Sequence, residues 1–119
     1  GAAINVLARQ QNADVLVVDI GVNHQFNPHP HLVDRKIAFG TRNMAKEPAM
    51  SRAEAEESIT IGIQVPAQLA YSGVDLLATG EMGIGNTTAS SAIFSVLGKL
   101  SVAEVTGRGT GIDDKTLSK

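Results

Sequence analysis

The chain has 119 residues, 43% hydrophobic and 18% charged, a size and balance that suit one globular domain. Ten basic and twelve acidic residues give a net charge of −2 without a basic cluster, which argues against nucleic acid as a partner. The lack of cysteine excludes disulfides, thiolate metal sites and a cysteine nucleophile. The lack of cysteine also fits a reducing cytoplasm, where we expect the protein, and no apolar run approaches the length of a membrane span.

The first nine residues are typical of the inside of a helix. Ile4, Leu7 and Ala8 recur at helical spacing and share one face. Because neither a methionine nor a capping residue precedes them, we expect the chain to be part of a longer protein.

Two short apolar runs predict strands of a parallel sheet. Asp14–Gly21 is nearly unbroken and rich in valine, and Val74–Thr79 has a similar pattern. Such runs are typical of strands that are covered on both faces, as in parallel sheets. We therefore predict an α/β fold of three layers, with helices on both sides of the sheet. The stretch that follows the first run contains Pro28 and Pro30 and is interpreted as a loop.

A helix is predicted to begin after Ser51, because Glu54 stands three residues later and completes a capping box. The alternation of apolar residues over 59–65 favours a strand, and Pro66 would interrupt either element. The capping box decides for a helix, which would connect the two strands in a right-handed crossover. Its apolar face is expected at a spacing near four, on Ala55, Ile59, Ile63, Ala67 and Ala70.

The most informative segment is Gly80–Thr88, where a predicted strand passes through three glycines into a predicted helix, Thr87–Leu100. This arrangement leaves backbone N–H groups free at a helix N-terminus, which suits a phosphate. The spacing nearly matches a P-loop, but Asn86 replaces the lysine that a triphosphate needs. The loop therefore predicts a cradle for a single phosphate, with the Thr87 or Thr88 hydroxyl capping the helix.

A second glycine-rich turn, Thr106–Gly111, contains Arg108, which could clamp a phosphate or remain in solvent. The pair Asp113 and Asp114 fits either a magnesium site or a helix cap, and we favour the cap.

His29 and His31 flank Pro30 in a polar stretch. A metal site and an exposed loop are both possible, and the extended proline geometry with no adjoining carboxylate favours the loop. We predict no metal site.

The glycine loop also permits a dinucleotide-binding domain, since Gly83 and Gly85 follow a predicted strand and Glu104 lies about twenty residues on. Against it, Thr88 stands where the third glycine is needed. A non-catalytic assembly module is the other alternative.

Four segments in register resemble the nicotinate-nucleotide–dimethylbenzimidazole phosphoribosyltransferase family, and the resemblance extends over the whole chain: Gly1–Arg9, Gly40–Met44, Gly80–Thr88 and Thr106–Asp114. The resemblance implies a Rossmann-like α/β fold, with residues 1–119 as the central part of one catalytic domain. It also implies a homodimer that needs no cofactor. The expected reaction transfers phosphoribose from nicotinate mononucleotide to 5,6-dimethylbenzimidazole, giving α-ribazole 5′-phosphate and nicotinate.

The resemblance assigns Glu81 a supporting catalytic role. The main catalytic glutamate of the family lies in a Gly-Glu-Gly-Thr-Gly-Ala motif that these 119 residues lack, so we expect no turnover by the chain alone. Arg42 and Asn43 match the family in a loop, where structural and ligand-binding roles compete evenly, and Lys119 lies close to a basic residue that the family uses. The implied substrate-binding residues are Gly80, Met82, Gly83, Gly85, Asn86, Thr87, Thr88, Gly107, Arg108, Gly109 and Thr110.

Overall fold

The computed structural model describes residues 2–109 and 111–117, and the chain divides into two compact units, Gly1–Asp75 and Leu76–Lys119. The first unit contains α1 (Ala3–Gln10), β1 (Val17–Asp19), β2 (Leu32–Asp34) and α2 (Arg52–Tyr71). The second contains α3 (Asn86–Gly98), α4 (Val102–Val105) and α5 (Asp114–Leu117). Helices combined with parallel strands confirm the α/β fold class. None of the helices in the described part of the chain is long and apolar enough to span a membrane.

The sheet consists of β1 and β2, which run parallel, with Val17 opposite Leu32 and Asp19 opposite Asp34. The strand predicted within Asp14–Gly21 is confirmed. Its partner differs from the prediction, because Leu32–Asp34 lies in the stretch that was interpreted as a loop. Since the two strands are parallel, Asp19 and Asp34 both end at the same edge of the sheet.

The prediction of a strand at Val74–Thr79 is wrong for this chain. A strand exists only when a neighbour satisfies its backbone groups. In the described structure, residues 75–80 form no hydrogen bond with another backbone group. Leu76 is 90% exposed, whereas the prediction required it to be buried. The predicted crossover through α2 is therefore absent as well, because both strands precede that helix.

Helix α2 confirms the choice of helix over strand. The Ser51 hydroxyl accepts a hydrogen bond from the Glu54 N–H at 3.2 Å, and the Glu54 carboxylate accepts one from the Ser51 N–H at 2.6 Å. These bonds from the Ser51 backbone and hydroxyl hold the pKa of Glu54 below its usual value. The helix continues through Pro66 to Tyr71.

The face of α2 that the first unit buries differs from the predicted face. Ile61 is buried, whereas Ile59 and Ile63 are 63% and 67% exposed. Apart from the half-buried Ala55, the predicted stripe at a spacing near four therefore lies outside the core of the first unit.

A buried ion pair stands at the carboxyl end of β1. Asp19 is only 4% exposed and receives the N–H groups of Gly21 at 3.1 Å and Val22 at 2.8 Å on one carboxylate oxygen. The Lys36 ammonium group donates to the other oxygen at 2.6 Å and to the Val22 carbonyl at 2.7 Å. Burial raises the pKa of Asp19, but the hydrogen bonds and the charge of Lys36 outweigh it and lower the pKa.

The ion pair predicts a loss of stability in acid. We expect Asp19→Asn to lower the unfolding free energy of the complete protein at pH 7 by about 3 kcal/mol, because Lys36 then lacks its carboxylate. Since folding lowers the Asp19 pKa, this contribution is complete above the unfolded-state pKa of about 3.9. It is lost as the pH falls through the folded-state pKa.

Urea denaturation of both proteins across this range measures the effect. The difference between them should shrink as the pH falls below about 4. A difference that stays constant with pH would contradict this role of the charge.

Candidate phosphate-binding loop

The segment 80–88 forms a turn that leads directly into α3. Gly85 occupies the position before the helix with φ 86° and ψ −9°, a left-handed conformation that glycine adopts readily. No side chain caps this helix, so the prediction that Thr87 or Thr88 does so is wrong. The reason is that Gly85 lets the helix begin one residue earlier than predicted, which places both threonines inside its first turn.

The start of α3 leaves two backbone donors free. The Asn86 N–H donates to the Gly83 carbonyl at 3.2 Å, and the Ala89 N–H donates to the Gly85 carbonyl at 3.2 Å. Between them, the N–H groups of Thr87 and Thr88 have no acceptor among the described residues. Free N–H groups and the helix dipole both favour an anion at this end.

The Asn86 side chain supports the loop. Its amide nitrogen donates to the Met82 carbonyl at 2.8 Å. Gly83 has φ 141°, and a Cβ there would lie 3.3 Å from that nitrogen. Asn86 thus braces the turn with one amide N–H, and its predicted contact with substrate stays a prediction.

Glu81 is held by the same helix. The Thr87 hydroxyl donates to one Glu81 carboxylate oxygen at 2.6 Å, while the other oxygen has no hydrogen-bond partner in the described part of the chain. Glu81 is exposed, as are Met82 and the open position at Gly80, where an added Cβ would contact no atom. The Thr87 hydroxyl therefore orients one oxygen of the carboxylate and leaves the other available.

The second glycine-rich turn holds its arginine differently from the prediction. The Arg108 guanidinium forms an ion pair with Asp114 and donates to the Ile112 carbonyl at 3.2 Å. These contacts use two of the five guanidinium N–H donors, so the predicted phosphate contact stays a prediction. Gly107 is exposed and Gly109 has φ 54°, whereas Thr110 lies outside the described residues.

Asp113 caps α5, which confirms the helix cap that the sequence favoured over a magnesium site. Its carboxylate accepts a hydrogen bond from the Thr116 N–H at 2.8 Å, and the hydrogen bonds with Thr116 lower its pKa. Within residues 2–109 and 111–117, no cluster of three or more potential metal ligands occurs.

The remaining candidates have structural contacts. The Arg42 side chain donates to the Pro48 carbonyl at 2.9 Å, and the Asn43 side chain accepts from the Ala45 N–H at 2.9 Å. Both therefore stabilise the loop before α2. His29 and His31 lie in an exposed loop, as predicted, and Lys119 lies outside the described residues.

Hydrogen bonds thus join Glu81 to Thr87 and Met82 to Asn86. Among the described residues, no hydrogen bond or ion pair joins this loop to Arg108. Sequence reasoning missed Asp19 and Lys36, the buried charges of the first unit. The available signal was an aspartate at the end of a valine-rich strand, two residues before a glycine.

Comparison with known proteins identifies the family. A family model described as phosphoribosyltransferase matches residues 1–119. The chain belongs to this phosphoribosyltransferase family. It is 58% identical over 119 residues to the nicotinate-nucleotide–dimethylbenzimidazole phosphoribosyltransferase of Chloroflexus aggregans and 56% identical to that of Geobacter metallireducens. Each alignment covers 100% of this chain and 34% of the relative.

Solved structures give the same result. The crystal structure of CobT from Thermus thermophilus superimposes with a TM-score of 0.89 at 42% identity, covering 99% of this chain and 35% of that one. The chain therefore spans about a third of the length of the family members that it matches.

The conformation of Gly85 predicts a specific effect on stability. We expect Gly85→Ala to lower the unfolding free energy of the complete protein by about 1–2 kcal/mol, because a Cβ disfavours the left-handed backbone. Gly80→Ala is the control, since Gly80 has no positive φ and open space around it, and it should change stability by less than about 0.5 kcal/mol. Urea denaturation measures both, and equal effects would show that the backbone conformation at Gly85 is unimportant.

Proposed function

We propose that the complete protein transfers phosphoribose from nicotinate mononucleotide to 5,6-dimethylbenzimidazole, releasing nicotinate and α-ribazole 5′-phosphate. The observation that carries this proposal is the identity of 56–58% over the entire chain to proteins named for that reaction. We further propose a cytoplasmic homodimer whose catalytic domain includes residues 1–119 as its central part.

The loop 80–88 supplies the proposed nucleotide contacts. The free N–H groups of Thr87 and Thr88 would donate to the phosphate. Gly85 would keep the approach open, because a Cβ there would contact no protein atom and would project into the free space that the phosphate needs. Gly80, Met82, Gly83 and Asn86 build the turn that aims these donors. Gly107, Arg108, Gly109 and Thr110 remain proposed contacts on the second turn.

Glu81 has the proposed supporting role in the reaction. As nicotinate leaves, positive charge develops at C1′ of the ribose, and a fixed carboxylate stabilises that charge in the transition state. The hydrogen bond from Thr87 holds one carboxylate oxygen and leaves the other available. We assign proton removal from the benzimidazole to a glutamate outside these 119 residues.

Glu104, which would bind the ribose in a dinucleotide-binding domain, does not support that alternative. Glu104 accepts hydrogen bonds from the Ser101 N–H at 2.8 Å and the Ser101 hydroxyl at 2.7 Å, which makes it the capping box of α4. These bonds also lower its pKa. It follows no strand, so it does not hold the position that a ribose contact requires.

A steady-state assay of the complete protein tests the proposal. Nicotinate release from nicotinate mononucleotide should require a benzimidazole, and Glu81→Gln should lower kcat by about 10- to 100-fold with a smaller change in KM. Glu56→Gln, at an exposed position of α2, should leave both parameters unchanged.

No nicotinate release with any benzimidazole would contradict the reaction. An unchanged kcat in Glu81→Gln would contradict the proposed role of Glu81 but not the proposed reaction.

A further inference from the structure

Two side-chain hydrogen bonds connect the segment before α3 to the first turn of that helix. The inner bond joins the Asn86 amide to the Met82 carbonyl at 2.8 Å, and the outer bond joins the Thr87 hydroxyl to the Glu81 carboxylate at 2.6 Å. The inner bond holds the backbone next to Glu81, whereas the outer bond acts on the carboxylate itself. The orientation of this carboxylate therefore depends on the side chain of Thr87.

The position of Thr87 in the helix leaves its hydroxyl available for this contact. Further along a helix, a threonine hydroxyl commonly donates to the carbonyl four residues earlier, as the Thr60 hydroxyl does to the Glu56 carbonyl at 2.8 Å. Thr87 is the second residue of α3, and its hydroxyl donates to a side chain outside the helix instead. Its branched Cβ restricts rotation about χ1, so forming the bond costs less freedom than it would for a serine.

The bond orients the Glu81 carboxylate without neutralising it. Glu81 forms no ion pair with a residue in the described ranges, and the Thr87 hydroxyl is a neutral donor. A lysine or arginine in its place would also hold the carboxylate but would compensate its charge. A neutral donor leaves the negative charge available to a cation that forms nearby, which is what the proposed role of Glu81 requires.

We propose that Thr87 is a positioning residue for the phosphoribosyl transfer, because its hydroxyl holds the Glu81 carboxylate in place while positive charge develops at C1′ of the ribose. The inference rests on the reaction proposed above. The backbone N–H of Thr87 would hold the phosphate of the nucleotide, so one residue would fix both the substrate and the carboxylate that acts on it. Loss of the hydroxyl should therefore slow the transfer without weakening nucleotide binding.

Steady-state kinetics of the complete protein with Thr87→Val test this role, because valine keeps the branched shape and the backbone N–H but lacks the hydroxyl. We expect kcat to fall about 5- to 30-fold, while KM for nicotinate mononucleotide changes by less than about twofold. Thr87→Ser restores the donor and should bring kcat to within about threefold of the unaltered protein. Thr60→Val removes an exposed hydroxyl of α2 and should change neither parameter.

A double-mutant cycle separates positioning from a general loss of structure. If Thr87 acts through Glu81, Thr87→Val should lower kcat by less than about twofold in a protein that already carries Glu81→Ala, because no carboxylate is left to position. Equal effects in both backgrounds, an unchanged kcat in Thr87→Val or no recovery in Thr87→Ser would overturn this role and leave the proposed reaction standing. Failure of the unaltered protein to release nicotinate would overturn the reaction and this role with it.

Discussion

The left-handed backbone at Gly85 is the constraint on which the candidate site depends. With φ at 86°, this residue ends the turn and starts α3 without a capping side chain. A serine or aspartate in that position would satisfy a first-turn N–H group itself. Glycine leaves the N–H groups of Thr87 and Thr88 for an external anion, so the absence of a cap is the feature that makes the loop suitable for phosphate.

The contacts around this residue all restrict the same turn. Asn86 braces the Met82 carbonyl, and the Thr87 hydroxyl fixes the Glu81 carboxylate. The helix that supplies the N–H groups therefore also orients the only carboxylate within the loop. A fixed carboxylate next to a phosphate site would be unfavourable for binding alone, because the two negative charges repel. Under the proposed transfer of phosphoribose, the carboxylate would instead stabilise the positive charge that develops on the ribose.

Local features of this chain could be predicted from sequence, and pairing over longer distances could not. The capping box of Ser51 and Glu54 involves residues three apart, so the pattern itself determined the start of α2. The glycines at 83 and 85 likewise indicated the turn, although the helix begins one residue earlier than expected. By contrast, whether Val74–Thr79 forms a strand depends on a neighbour, and none is present among the described residues. Asp19 and Lys36 are 17 positions apart, and only the parallel pairing of β1 with β2 explains their meeting.

The most direct test of the account is to follow the amide signals of Thr87 and Thr88 in the complete protein by NMR, with ¹⁵N-labelled threonine. Nicotinate mononucleotide should shift both amide protons strongly, because each gains a charge-assisted hydrogen bond to the phosphate. Thr60, whose hydroxyl donates to the Glu56 carbonyl inside α2, serves as the internal reference and should not shift. Saturable binding of the nucleotide that leaves the Thr87 and Thr88 signals unchanged would contradict the central claim.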